Sequence, residues 1–439
     1  MSQPRLLIIA RDDAQAGPLA EGLDRLGWRT VTARAGDSAL AVIEDMPIEA
    51  AIIDLDSGDD LAHLAARFKA AAAPRRLPVI ALGSIPPGEE QHRFDLVLGH
   101  PVHPAQAMLR IESLVRTAIA EEEFELRRET FAERGKRFTA VEPSAQPYRI
   151  LAVGEPAPQF LALSNTLKAS GVEITGAFTA YTAFDYLHER AFDAVILWAG
   201  DNRQEALSIA SGLRRNTRLF HIPALLYLGE GAEVMPAEAF HKGVSDVAVH
   251  GTGEEETARR MIELARAHRY GEAVRGALDK ARSSGLMDAA TGLFTRDLFA
   301  AHLARQAAAA VGRGRPLSVA VLKIAEKPEL AAIRAGGWVD RAVPQIGSMI
   351  GRLVRAEDTA ARLAPEVFAL SLPATSQAQA RAAAERIAAV ISCTAFDAGD
   401  GRKPFVCDFD IGVAQIEGQE GAARALERAA ALALRSVAS

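Results

Sequence analysis

Cysteine is nearly absent: the 439 residues hold two, Cys393 and Cys407, both near the C-terminal end. One pair at most cannot staple a chain of this length, which excludes a disulfide-built scaffold and fits a reducing compartment. Long apolar runs are also missing. No stretch reaches the length of a membrane span, and Met1-Ser2-Gln3-Pro4-Arg5 carries no apolar signal core, so the expected location is the cytoplasm. Basic charge is not in excess either: the net charge is -6, which argues against a general nucleic-acid coat. What is present is globular in character, with 49% hydrophobic and 24% charged residues. The length suggests about three domains.

The first segment alternates short apolar runs with amphipathic stretches. Leu6-Leu7-Ile8-Ile9, Ala50-Ala51-Ile52-Ile53 and Val79-Ile80-Ala81-Leu82 read as buried strands, and Pro18 to Leu26 and Asp37 to Asp45 as helices. This is the rhythm of a parallel, doubly wound sheet. The pattern then repeats. Arg149-Ile150-Leu151-Ala152-Val153 mirrors Arg5 to Ile9 at 144 positions' distance, and Phe192 to Leu197 mirrors the third strand at the same offset. Whole-domain duplication is the reading, with Glu142-Pro143-Ser144-Ala145-Gln146-Pro147 as a polar linker. Glu121-Glu122-Glu123 reads as the solvated face of a charged helix. A second long helix is predicted from Glu254 to Arg282, with Met261, Leu264, Ala265 and His268 on one face. It serves either as a domain-closing helix and linker or as a stalk that pairs protomers into a homodimer.

The strand order and an acidic strand end resemble bacterial response-regulator receiver domains. That resemblance puts the phosphoacceptor at Asp54. The rest of its pocket departs from the family. Ala10-Arg11 stands where an acidic pair would hold Mg2+, with Asp12 and Asp13 two positions late; Gly83 replaces the hydroxyl residue, with Ser84 adjacent; His100 before Pro101 replaces the Lys. In the second copy Trp198 occupies the acceptor position, and indole takes no phosphoryl group. Gly154-Glu155 replaces most of the metal pair, and His250 the Lys. The second copy is expected to be an adaptor domain in which Trp198 packs rather than binds a partner.

From Asp288, Asp-Ala-Ala-Thr-Gly-Leu-Phe-Thr-Arg resembles the opening of GGDEF domains, which condense two GTP into cyclic di-GMP. Leu317 to Ile324 reads as a buried strand, and Asp410-Ile411-Gly412-Val413-Ala414 resembles the late strand of the family. The signature loop falls on Ala364-Pro365-Glu366-Val367-Phe368 and loses both glycines. Lys323 replaces the metal-binding Asp of the preceding strand, and two-metal phosphoryl chemistry needs carboxylates there. The guanine-reading Asn falls on Ala331, while Asp340 matches its companion, and the final Gly-Arg-Asn segment is not found before Ser439. No catalytic residue and no metal ligand is therefore assigned, and the chain is expected not to be an enzyme. The product-inhibition motif Arg-x-x-Asp is different. Arg355-Ala356-Glu357-Asp358 lies in family register, nine residues separating Arg355 from Ala364, and Arg386 matches a second family Arg. An Arg fork suits the guanine O6/N7 edge, and an Asp accepts from guanine N–H groups. Cyclic di-GMP binding is assigned to Arg355, Asp358 and Arg386.

The expected fold class is α/β: two doubly wound, flavodoxin-like receiver domains, 1–135 and 148–280, then a GGDEF-type domain, 283–439, with a mixed sheet flanked by helices. This is the architecture of the PleD-type cyclases. A degenerate, ligand-binding member implies a non-catalytic effector that recruits protein partners such as protease adaptors. It further implies a part in cell-cycle control and regulated proteolysis, with recruitment to a cell pole. A divergent active cyclase and a nucleotide-free scaffold stay open as rivals. Arg214 and Arg215 of the second copy could complete the ligand site, although their expected role is a solvated helix end. The first copy is expected to hold a partner, so that removing 1–135 leaves nucleotide binding intact.

Overall fold

Apolar runs of four or five residues can be buried on both faces only in a parallel sheet covered by helices, and the computed structural model of the chain has two such sheets. It describes residues 3–11, 13–55, 61–83, 94–99, 102–155, 157–200, 203–229, 234–282, 285–399, 401–418 and 420–435; the side chains of 13–15, 61, 62 and 435 lie outside that description. Ser84, Asp12, His100 and Pro101 of the first receiver pocket therefore fall outside it, as does the side chain of Asp13.

The first unit runs β1 (Arg5–Ile9), α1 (Asp13–Arg25), β2 (Arg29–Ala33), α2 (Gly36–Asp45), β3 (Ala50–Asp54), α3 (Leu61–Ala72), β4 (Val79–Leu82), β5 (Leu96–Leu98) and α4 (Pro104–Ala132). Its strands pair in the order β2-β1-β3-β4-β5, all parallel. This is the flavodoxin-like doubly wound order. Every residue of β3 is buried. Helix α1 starts five residues ahead of Pro18 and carries it inside.

The second unit repeats the plan: β6 (Arg149–Val153), α5 (Pro158–Ala169), β7 (Glu173–Ala177), α6 (Ala180–Glu189), β8 (Ala194–Ala199), α7 (Arg203–Arg215), β9 (Ala224–Leu228), α8 (Pro236–His241), β10 (Asp246–Val249) and α9 (Glu254–Arg282). The order β10-β9-β8-β6-β7 is the same topology, again all parallel. Helices α4 and α9 close the two copies and are 29 residues each. Both outrun their own sheets. Ile111 of α4 packs on the first sheet, while Phe131, near its end, joins Phe294 and Phe299 of the third unit. Met261, Leu264 and Ala265 of α9 pack under the second sheet, while Val274 and Leu278 meet Ala120 and Phe124 of α4. The long helix thus pairs with its counterpart in the same chain.

The third unit runs α10 (Arg296–Arg313), β11 (Leu317–Ile324), α11 (Pro328–Ala335), α12 (Trp338–Leu353), β12 (Thr359–Ala364), β13 (Val367–Pro373), α13 (Gln377–Ser392), β14 (Phe409–Gln415) and α14 (Ala422–Arg435). Local chemistry fixes several ends. The Thr295 side chain caps α10 and left-handed Gly314 stops it. Ser376 and Gln379 form a capping box on α13. The named strands pair antiparallel in the order β12-β13-β11-β14; the parallel component of the sheet is the single Phe294–Ala361 bridge. Gly412 lets α14 lie against β14, because a Cβ there would stand 1.9 Å from the Ala429 carbonyl oxygen. Among the described residues no helix is long and apolar enough to cross a membrane.

Glu121, Glu122 and Glu123 do not form a solvated face. Glu122 and Glu123 are buried in mid-α4 and Glu121 is nearly so. Glu122 pairs with Arg315, which also binds Glu49 of the first unit at 2.8 Å. Glu123 accepts from Arg127 at 2.8 Å, His302 at 2.7 Å and Gln306 at 2.8 Å. Glu121 accepts from the Tyr270 hydroxyl of α9. Burial works to raise the Glu123 pKa, but His302 and Arg127 hold it at about 2. The glutamates are the ionic seam between the first and third units.

Candidate functional site

The acceptor positions stand at equivalent strand ends and differ in kind. Asp54 closes β3 and is buried, with Gly83 at the end of the neighbouring β4, where it takes a left-handed φ of 107°. Trp198 fills the same place in β8, stacked on Tyr227 at 4.6 Å and edge-on to Phe160 at 5.7 Å. It is a core residue, only 8% exposed. The missing metal ligand beside it has a steric cause. Gly154 holds φ 133°, and a Cβ there would meet the Trp198 Cβ at 2.7 Å and its carbonyl oxygen at 3.0 Å.

In the third unit the Asp288 motif builds a turn. The Asp288 carboxylate accepts from the Thr291 amide at 2.9 Å and hydroxyl at 2.6 Å, and left-handed Gly292 completes the bend toward Phe294. The signature loop is the hairpin between β12 and β13, with Ala364 opposite Val367 and Pro365-Glu366 at its tip; Phe368 is fully buried. Glu366 is held by the Arg334 fork of α11, with N–O distances of 3.0, 3.0 and 2.8 Å. Arg334 also donates to the Ala325 carbonyl at 3.0 Å. Lys323 pairs with Glu326 at 2.7 Å. The surviving acidic residue of the loop therefore faces an arginine, and Lys323 adds a second cation on β11. Both cations are thus engaged by carboxylates, with Asp410 opposite Lys323 on the neighbouring strand. Ala331 and Asp340 are exposed on α11 and α12.

The Arg-x-x-Asp segment is not helical. It forms the turn between α12 and β12. The Asp358 carboxylate accepts from the Arg355 amide at 2.9 Å, and the Asp358 amide donates back to the Arg355 carbonyl at 3.2 Å. The Arg355 guanidinium is exposed, whereas Asp358 is 5% exposed and its Oδ1 is buried without a hydrogen bond. Burial first, then repulsion from Glu357, pushes the Asp358 carboxyl up to about 6. Arg386 is exposed on α13, which packs on α12. Arg355 and Asp358 thus share one turn, and Arg386 stands on a separate element.

Two arginines outside the motif hold this turn. Arg282, at the end of α9, donates to the carbonyls of Arg355 at 2.9 Å, Ala356 at 3.3 Å and Asp358 at 3.2 Å. Arg127 of α4 donates to the Asp358 carbonyl at 2.9 Å and to the Thr359 hydroxyl at 3.2 Å. Sequence reasoning missed both, since neither has a local signal; the same holds for Arg334. Arg214 departs from its expected role. Its guanidinium is bonded within the second unit, to the carbonyls of Gly243 at 2.8 Å and Ile222 at 3.0 Å and to the Ser245 hydroxyl at 3.2 Å. Arg215 is exposed at the helix end.

Residues 285–438 match the family described as diguanylate cyclase, GGDEF domain. Over 435 residues the chain is 23% identical to the response regulator PleD of Caulobacter vibrioides, a match spanning 96% of this chain and 94% of that protein. The chain is thus similar, along nearly its whole length, to a receiver–GGDEF protein of the diguanylate cyclase kind. Among solved structures it is similar to the GGDEF domain of DgcB from Caulobacter crescentus in complex with c-di-GMP, at 24% identity, 35% of this chain, 87% of that one and a TM-score of 0.31. It is also similar to the diguanylate cyclase SiaD in complex with its activator SiaC from Pseudomonas aeruginosa, at 22% identity, 41% of this chain, 69% of that one and a TM-score of 0.34.

Proposed function

We propose that the protein is a non-catalytic cyclic di-GMP receptor that binds the dinucleotide at Arg355 and Asp358 with help from Arg386. The observation that carries this reading is the buried, unbonded Oδ1 of Asp358 beside an exposed Arg355. A guanine supplies what that pair lacks: N–H donors for the carboxylate and an O6/N7 edge for the guanidinium. The absence of cyclase chemistry is supported by the Arg334–Glu366 and Lys323–Glu326 pairs. The combination of a degenerate signature with a retained Arg-x-x-Asp resembles PopA. It points to recruitment of protein partners such as protease adaptors, in cell-cycle control and regulated proteolysis at a cell pole. Nothing in the ligand site depends on phosphorylation of Asp54.

Calorimetric titration of the full chain with cyclic di-GMP tests the reading. Arg355→Gly is expected to cost at least about 2 kcal/mol of binding, close to a thirtyfold loss. Unchanged affinity in that variant overturns the site. Incubation with GTP and Mg2+ or Mn2+ is expected to give no cyclic di-GMP. Product that disappears in Glu366→Gln would identify a divergent cyclase, and the absence of any titration heat would identify a nucleotide-free scaffold.

A further inference from the structure

A cavity of about 420 Å3 lies between α4, the second unit and the Arg-x-x-Asp turn, with Arg110, Arg214, His221, His268, Arg275 and Glu357 in its wall. One group in that wall is incompletely satisfied. The His268 side chain is 8% exposed, and neither of its ring nitrogens has a hydrogen-bond partner. Leaving a buried polar group unpaired is unfavourable, because it loses its bonds to water and gains none in return. His268 sits on α9, and Glu272 stands on the same face one turn later. His221 comes from the turn that leads into β9, its ring stacked on that of His268 at 5.3 Å and 14°. One ligand atom from each of the three residues lies within 4.8 Å of the other two.

We propose that His221, His268 and Glu272 form a binding site for a divalent transition cation of the zinc class. The donor set is two imidazoles and one carboxylate, which suits a borderline cation and leaves a coordination position for water or an incoming ligand. The spacing is close to what such an ion needs. Ligand atoms about 2.0–2.1 Å from a tetrahedral ion stand about 3.4 Å apart. The His221 Nε2–Glu272 Oε1 distance is 2.9 Å and the His268 Nε2–Glu272 Oε1 distance is 3.8 Å, so the two bracket that value. A direct His221–Glu272 hydrogen bond accounts for one pair but leaves His268 with nothing. Arg275 bonds the same Glu272 Oε1, a contact that a bound cation would displace. No local pattern marks this cluster, because His221 stands 47 positions from His268. The cation would fasten the turn before β9 to α9, the helix whose Arg282 holds the Arg-x-x-Asp turn.

The test is Co2+ titration of the untagged full chain in a Cys393→Ser background, which removes the exposed thiol as a competing ligand. Bound Co2+ is read by visible d–d absorption and displaced with Zn2+. One ion per chain is expected, without thiolate charge-transfer absorption. Glu272→Gln and His268→Ala are each expected to weaken binding at least about tenfold. His221→Ala, which alters a turn and leaves α9 intact, serves if either helix variant misfolds by circular dichroism. Absence of stoichiometric Co2+ uptake, or uptake unchanged in His221→Ala and Glu272→Gln, overturns the site.

Discussion

Asp358 is held at a cost the fold would avoid if packing alone mattered. Its carboxyl is raised to about 6, so its contribution to stability is fully present below the ordinary Asp range and is lost as pH rises through about 6. The shift corresponds to about 3 kcal/mol. Asp358→Asn removes the buried charge and is expected to stabilise the free protein by about 1–3 kcal/mol in urea denaturation at neutral pH while weakening cyclic di-GMP binding. In the proposed site the carboxylate would accept the guanine N–H groups, so ionisation would have to precede binding. With Glu357, Arg355, Arg127 and Arg282 around it, affinity is expected to fall about tenfold per unit as pH drops below about 6. Calorimetry across that range checks this; a flat profile in the native chain would remove Asp358 from the site.

Elements were legible where burial is two-sided or periodicity long. Helix α9 spans Glu254–Arg282 as its sequence pattern predicts, and β11 spans Leu317–Ile324, because an apolar run under helices has no alternative that buries it. Helix α4 was legible as a helix and misread in its environment. Three consecutive glutamates read as a water-facing surface, yet Glu122 and Glu123 are buried because partners arrive from Arg315 and His302 of the third unit. No local pattern announces a partner that far along the chain. The Arg-x-x-Asp turn was legible by register, whereas Arg127 and Arg282, which fix its backbone, were not. Glu123→Gln leaves Arg127 and His302 buried beside a neutral group. It is expected to cost about 3–5 kcal/mol, read as a lower urea midpoint of the full chain.

At the scale of the whole molecule, the three units do not divide their work as domain-by-domain reasoning expects. Residues 1–135 include α4, and with it Arg127 and the Phe131 that covers Phe294 and Phe299. Their deletion is therefore expected to weaken cyclic di-GMP binding rather than spare it. Arg127→Ala in the intact chain separates the hydrogen bond from the packing and is expected to weaken binding by about tenfold, read by calorimetry. Equal affinity in the truncated and full chains would restore the first unit to a role confined to partners.

The duplicated units also differ in what fills the acceptor strand end. In the first, Asp54 still closes its strand. In the second, Trp198 takes that place, and Gly154 lies so close that a Cβ there would meet the Cβ and carbonyl oxygen of residue 198. Where the first copy keeps a buried carboxylate at its strand end, the second keeps an aromatic stack on Tyr227 and Phe160, so that end of its sheet is built as packing.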